Sequence, residues 1–157
     1  MSLPIDPAVL LEAVADALVA CDKKGAIVVW NAAAERLFGW TRAEALGRSL
    51  DIIIPERLRG RHWEGYGKTM ETGHTKYGHD VLRVPAIDKQ GQTMSIAFTV
   101  GLLYDANGKV AAIASVIRDE TARFNEERAL KKRLAELQAA ASAAPGAPAA
   151  AAAPGAS

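Results

Sequence analysis

The residues with the clearest chemical potential lie around His62, in the stretch Pro55-Glu56-Arg57-Leu58-Arg59-Gly60-Arg61-His62-Trp63-Glu64-Gly65-Tyr66. A helix over 61–72 would place Tyr66 one turn and Met70 two turns after His62, on a stripe expected to face a core. An imidazole aimed inward needs a partner, either a protein hydrogen-bonding group or a metal carried by a buried cofactor. The residues by themselves leave both possibilities open.

Three glycines, Gly60, Gly65 and Gly67, weaken the same helix. Each costs up to about 1 kcal/mol relative to alanine in a helix interior. A weak helix whose backbone can approach a flat object suits a ligand better than it suits a plain core.

The elements that must position this helix are predicted from turn and cap residues. Asp6 and Pro7 begin a helix within residues 1–17, Asn31 caps a helix over 32–38, Thr41 opens a capping box, and Gly73 ends the His62 helix. The turn pattern Asp-x-x-Gly occurs at 22–25, 88–91 and 105–108. The second and third of these turns separate three apolar runs, which we interpret as strands at 81–87, 92–104 and 109–117. Two strands, several helices and three strands predict an α+β fold, a five-stranded antiparallel sheet with helices on one face.

The fourth predicted strand tells which side chains face the helices. Met94, Ile96, Phe98, Val100 and Leu102 alternate with smaller or polar residues, so the apolar set should point inward. The strand at 109–117 is apolar on both faces and rich in alanine, and small side chains on its inner face would leave room beside the His62 helix.

The chain ends in two segments of different composition. We expect a domain over 18–119, an amphipathic helix over 120–138 and a disordered Ala/Pro tail over 139–157. Leu130, Leu134 and Leu137 have coiled-coil spacing, although a solvated helix would show them too.

Composition narrows the classes of function. The 19 basic and 18 acidic residues nearly balance, which argues against a nucleic-acid or membrane-surface partner. The sequence has no signal-peptide pattern and no apolar run near the roughly 20 residues of a membrane span, so we expect a cytoplasmic protein. No nucleophile–base pair or paired carboxylates stand at usable spacing, so we do not expect an enzyme. The lone Cys21 is expected to be a buried hydrophobe.

Three stretches resemble the PAS sensor domains of bacterial signalling proteins over roughly residues 8–121. These are GAIVVWNAAAERLFGW at 25–40, EALGR at 44–48 and VIRDET at 116–121. The PAS fold is a five-stranded antiparallel sheet with helices on one face, which agrees with the order of elements above. PAS domains bind haem, flavins or small acids, or hold no ligand and dimerise.

The segment Pro55…Arg61-His62…Tyr66 is similar to the haem-binding PAS domains of rhizobial oxygen-sensor kinases and bacterial haem-regulated phosphodiesterases. By this resemblance His62 is the proximal ligand of haem b iron, held through a neutral imidazole. The pocket would be roofed by Met94, Ile96, Phe98 and Val100 and flanked by Tyr66 and Met70. Light-sensing PAS domains carry their cysteine in an Asn-Cys-Arg-Phe motif that this chain lacks, so flavin photochemistry by that route is not expected.

The same resemblance has gaps on the distal side. Where the relatives have an oxygen-stabilising arginine or a methionine ligand, this chain has Leu82 and Asp80, and the neighbouring Arg83 could substitute only on a bulged or shifted strand. Candidates for the distal side or a sixth ligand are Met70, Tyr77, His79 and Met94. Candidates for the haem propionates are Arg61, His74 and Lys76.

The leading prediction is therefore a haem sensor of a diatomic gas (O2, CO or NO) or of redox state. It would form a homodimer through its flanking helices and signal through the exit helix, with a separate protein as a candidate partner. The alternative is a ligand-free PAS domain that serves as a dimerisation or protein-interaction module, with His62 exposed or hydrogen-bonded in a small core.

Overall fold

The computed structural model describes residues 4–144. Its elements, in chain order, are as follows: α1 Pro7–Ala13, β1 Ala17–Asp22, β2 Ile27–Trp30, α2 Ala32–Phe38, α3 Arg42–Ala45, a 3-10 helix Leu50–Ile53, α4 Glu56–Thr72, β3 Leu82–Ile87, β4 Thr93–Tyr104, β5 Val110–Asp119 and α5 Thr121–Ala143.

The predicted turns and caps form as their chemistry requires. In the first Asp-x-x-Gly turn the Asp22 carboxylate accepts backbone N–H groups of Lys24 and Ala26 at 2.8 and 3.0 Å. Asn31 caps α2, and Thr41 and Glu44 complete the predicted capping box at α3. The predicted N-terminal helix over 1–17 covers only Pro7–Ala13. Residues 14–16 belong to no helix or strand, Ala17 begins β1, and residues 1–3 lie outside the described residues.

The strands form one antiparallel sheet in the order β2-β1-β5-β4-β3. Strand β1 therefore lies between β2 and β5. The β1–β2 hairpin and the block of strands β3, β4 and β5 join where β1 pairs with β5. The main core lies between this sheet and the helices; its largest fully buried side chains are Trp30, Phe38, Ile27 and Asn31. The fold is the predicted five-stranded α+β arrangement.

Two of the three alanines of β5 lie on the outer face of the sheet, so they do not supply the small side chains expected on its inner face. Ala112 pairs with Leu103 and Ala114 with Gly101, whereas the inner residue Phe98 pairs with Ile117. Directly paired residues share a face, so these two alanines belong to the outer face. The inner face of β5 instead carries Ile113, Ser115 and Ile117, because the phase of a strand that is apolar on both sides is set by its pairing.

The C-terminal helix α5 belongs to a unit separate from residues up to Glu120. It continues to Ala143, past the predicted end at 138, because alanine has the highest helix propensity of any residue. Leu130, Leu134 and Leu137 are 68%, 56% and 52% exposed. The predicted disordered tail falls, from residue 145 onward, outside the described residues. Among the described helices, α5 included, none has the length and hydropathy needed to cross a bilayer.

Candidate functional site

Helix α4 carries the predicted site and is weakly packed. It follows Pro55 and ends at Gly73, whose φ of +75° gives the left-handed conformation that commonly terminates helices. None of its residues is fully buried. A Cβ atom added at Gly60, Gly65 or Gly67 would meet nothing within 4 Å. The glycines therefore do not serve close packing against another described part of the chain.

His62 is half-buried on this helix, and its environment favours the neutral imidazole. Its Nδ1 atom is shielded from solvent and has no hydrogen-bond partner among the described residues. Burial lowers the pKa of His62 below its usual value of 6.5, and this effect outweighs the opposing charge of Asp51. A neutral ring with a shielded, unpaired nitrogen is the state in which histidine binds a metal.

Two aromatic neighbours surround the imidazole. The His62 ring stands edge-on to Trp63, with centroids 4.5 Å apart, and lies 5.9 Å from the ring of Tyr66. The Trp63 indole donates to Asp51 Oδ1 at 2.6 Å, and the Tyr66 hydroxyl donates to the backbone carbonyl of Asp22. Burial also raises the pKa of Tyr66, so its hydroxyl keeps the proton that it donates. We call His62, Trp63 and Tyr66 the ring cluster.

The predicted pocket roof lies on the inner face of β4. Ile96 is buried, and Met94 and Phe98 pack against the same core cluster as Tyr66. Val100 is half-buried on that face. Of the predicted residues on α4, Tyr66 packs against the same core as Met94 and Phe98 of β4.

The remaining predicted residues are more exposed. Met70 is half-buried on α4, whereas Arg61, His74, Lys76, Tyr77 and His79 are exposed. The Lys76 ammonium lies 5.1 Å from the centre of the Tyr77 ring. The structure does not bring these exposed residues into the core, and a role for Tyr77 or His79 as an iron ligand would require the 73–81 loop to move.

The register of β3 settles which way Arg83 points. Leu82 pairs with the inner-face residue Phe98, and Arg83 pairs with Ala97 on the opposite face, without a register shift. Arg83 is exposed. It therefore does not replace the arginine of the oxygen-sensor relatives, and Leu82 occupies the inner position.

Sequence reasoning missed the partners of the ring cluster. Asp51 lies in the 3-10 helix before α4, and Gly25, against which the Trp63 ring lies, is much earlier in the chain. No local sequence pattern connects either residue to Trp63. Trp63 itself stands next to His62, so an aromatic residue beside a candidate ligand was the one available signal.

Two further features complete the description. No group of three or more His, Cys, Asp or Glu side chains that could hold a metal ion occurs among residues 4–144. A cleft of about 220 Å³ opens at the start of β1, between α2 and the end of β5. None of the predicted site residues lines it; its walls are Ala15, Asp16, Ala17, Ala33, Arg36, Leu37, Ile117, Arg118 and Asp119.

Comparison with known proteins identifies the family of the fold. A family model described as the PAS fold matches residues 6–119. The chain is 31% identical over 130 residues to the sensor protein FixL of Bradyrhizobium diazoefficiens, covering 82% of this chain and 24% of that protein. It is 28% identical over 101 residues to the oxygen sensor protein DosP of Escherichia coli, covering 64% of this chain and 12% of that protein. The chain therefore spans less than a quarter of the length of these relatives.

Solved structures agree on the fold. The PAS domain of a Colwellia psychrerythraea protein superposes with a TM-score of 0.65 at 22% identity, covering 74% of this chain and 95% of that one. An RNA-binding light-oxygen-voltage receptor superposes with a TM-score of 0.63 at 19% identity, covering 88% of this chain and 42% of that one. Both likenesses concern the fold of the chain.

Proposed function

This chain belongs to the PAS family, and from that premise we propose that it binds haem b through His62 and senses a diatomic gas or redox state. The observation that carries the proposal is the half-buried, neutral His62 with a shielded and unpaired Nδ1 on a glycine-rich helix. The relation to FixL and DosP, the second of which is named an oxygen sensor, supports the same conclusion.

The residues present fit haem. A buried polar atom without a partner is costly, and a metal bound by the Nδ1 atom of His62 would remove that cost. The inner faces of β3 and β4 offer the apolar side chains Leu82, Phe98 and Val100, which are only half-buried. They would pack against the porphyrin, while open space around Gly65 and Gly67 lets α4 approach it.

When bound, haem would supply an iron atom that can take a gas ligand or change its charge on oxidation. The protein residues do the rest. His62 would provide a neutral nitrogen, and the rings of Trp63 and Tyr66 would hold its imidazole in orientation. Leu82 and Phe98, which are paired across β3 and β4, would offer apolar surface that excludes water from the bound group. Arg61, His74 and Lys76 are exposed near α4 and are available to the propionates.

The output would pass through a homodimer. Leu130, Leu134 and Leu137 form an exposed stripe along α5 that a second copy of the helix can cover. A shift at His62 would bias this helix pair between two arrangements, and a separate signalling partner or a further part of a longer protein would read the change.

A haemin titration of the apoprotein tests the proposal. We expect the wild type to form a sharp Soret band that saturates at one haemin per chain, and His62→Ala to lose or shift the band. Asn107→Ala, an exposed turn position outside the predicted site, is the control and should leave the spectrum unchanged. Titrations with CO, NO and O2 would then identify the gas.

The alternative function is a ligand-free dimerisation module, which the exposed leucine stripe of α5 also favours. Haem ligation by His62 would be refuted if the wild type gave no more than the broad spectrum of free haemin. It would also be refuted if His62→Ala bound haemin as tightly as the wild type. A dimer that persists without haemin would then support the alternative.

A further inference from the structure

Three turns in this chain share the same chemistry, and one of them differs in its surroundings. Gly25, Gly91 and Gly108 each end an Asp-x-x-Gly turn with φ between +77° and +81°. A Cβ atom at Gly91 or Gly108 would meet nothing within 4 Å. At Gly25 it would lie 2.3 Å from two atoms of the Trp63 six-membered ring. Gly25 is therefore needed for close contact as well as for its backbone conformation.

The indole that rests on Gly25 is held from a second side. Its Nε1 donates to Asp51 Oδ1 at 2.6 Å. One turn further along α4, the Tyr66 hydroxyl donates to the carbonyl of Asp22, which opens the same turn. Two aromatic residues of α4 thus dock on the β1–β2 turn, whereas a Cβ atom added at any of the three glycines of the helix would meet nothing within 4 Å.

His62 packs against both docked rings. Its centroid lies 4.5 Å from Trp63 and 5.9 Å from Tyr66, and the two docked rings are 5.1 Å apart. Because Nδ1 of His62 has no hydrogen-bond partner among the described residues, ring packing is the visible constraint on the imidazole. Whatever displaces Trp63 must therefore also displace His62.

We propose that Trp63 is a positioning residue that seats the His62 helix on Gly25 of the β1–β2 turn and thereby sets the orientation of the imidazole toward its ligand. The proposal deepens the proposed function and rests on it for the nature of that ligand. We call the packing of Trp63 on Gly25 the seat, and it is present in the protein without haem. Its experiment can therefore fail separately from haem binding.

The test compares Gly25→Ala with Gly108→Ala. Both changes put a methyl group on a turn residue of nearly equal positive φ, and only the first collides with Trp63. In the apoprotein labelled with 5-fluorotryptophan, the three tryptophans give three fluorine resonances. We expect Gly25→Ala to shift the Trp63 resonance and leave those of Trp30 and Trp40 in place. Gly108→Ala should shift none of them.

Haemin affinity gives the second readout. Disturbing the residues that orient a metal ligand commonly weakens binding about 10- to 100-fold, and we expect this range for Gly25→Ala relative to Gly108→Ala. Trp63→Phe removes the ring atoms that touch Gly25 without altering the turn, and it should weaken haemin binding too. In the double variant, Gly25→Ala should add little to Trp63→Phe, because the collision is gone.

The outcomes separate the two proposals. Equal fluorine spectra and equal haemin affinities for Gly25→Ala and Gly108→Ala would overturn the seat, as would additive effects in the double variant. If the wild type binds no haemin while Gly25→Ala alone shifts the Trp63 resonance, the seat stands and the haem proposal falls.

Discussion

Replacing Asn31 with alanine should cost about 4 kcal/mol of the free energy of unfolding, since a net hydrogen bond contributes about 1 kcal/mol and Asn31 makes four. The side chain is 1% exposed, so water does not replace the lost bonds. Its Oδ1 accepts from the N–H groups of Leu18 at 2.9 Å and Ala34 at 3.0 Å. Its Nδ2 donates to the carbonyls of Leu11 at 2.8 Å and Asp16 at 3.1 Å.

These four bonds connect three elements. One caps α2, one fixes the first residues of β1, and two hold the end of α1 and the segment that follows it. None of the residues in α1 is buried, so α1 depends on polar contacts of this kind. We therefore expect α1 to exchange its amide hydrogens faster in Asn31→Ala, in addition to the global loss of stability.

Urea unfolding followed by circular dichroism provides the measurement. Asn31→Ser keeps a hydroxyl at the cap of α2 and should recover about 1 kcal/mol relative to alanine. Asn107→Ala, at an exposed turn position, should change stability by less than about 0.5 kcal/mol. A loss below about 1.5 kcal/mol for Asn31→Ala would refute the reasoning, because one net hydrogen bond contributes at most about that much.

Three further predictions concern titration, thiol chemistry and assembly. Because burial depresses the pKa of His62 in the folded state, the unfolded chain takes up its proton first, and stability should fall as the pH drops below 6.5. Urea midpoints at pH values above and below this point should show a smaller drop in His62→Gln; equal drops would contradict the assigned pKa. Burial raises the pKa of the Cys21 thiol to about 12, so an aromatic disulfide reagent at neutral pH should react only in step with unfolding. Rapid labelling of the native protein would show that the strand opens. By light scattering, the wild type should have the mass of a homodimer and Leu134→Glu the mass of a monomer, because the charge would lie between Leu130 and Leu137 in the exposed stripe of α5. A monomeric wild type would exclude this dimer.

The local elements were predictable because their determinants lie within a few residues of one another. The Asp-x-x-Gly turns satisfy their own backbone groups, as Asp105 does for Asn107 and Lys109 at 2.8 and 3.0 Å. The caps at Asn31 and Thr41 work in the same way. The alternation of β4 also gave the inner face correctly, because only one of its faces is consistently large and apolar.

Sequence reasoning failed where the local sequence determines neither the pairing of a strand nor its contacts with distant residues. The outer position of Ala112 and Ala114 could not be predicted, because a strand that is apolar on both sides can pair in either phase. The docking of Trp63 on Gly25 was invisible, because a contact between residues so far apart depends on how a helix and a hairpin meet.

By itself the sequence determined the family, the order of elements, their caps and turns, and His62 as the candidate ligand, since each depends on short-range chemistry or a distinctive run of residues. The tertiary structure alone decided that Arg83 faces away from the core and Leu82 toward it. It also decided that burial lowers the pKa of His62 and that its ring packs against Trp63 and Tyr66. These properties come from strand register and burial, which arise only when distant segments pack together.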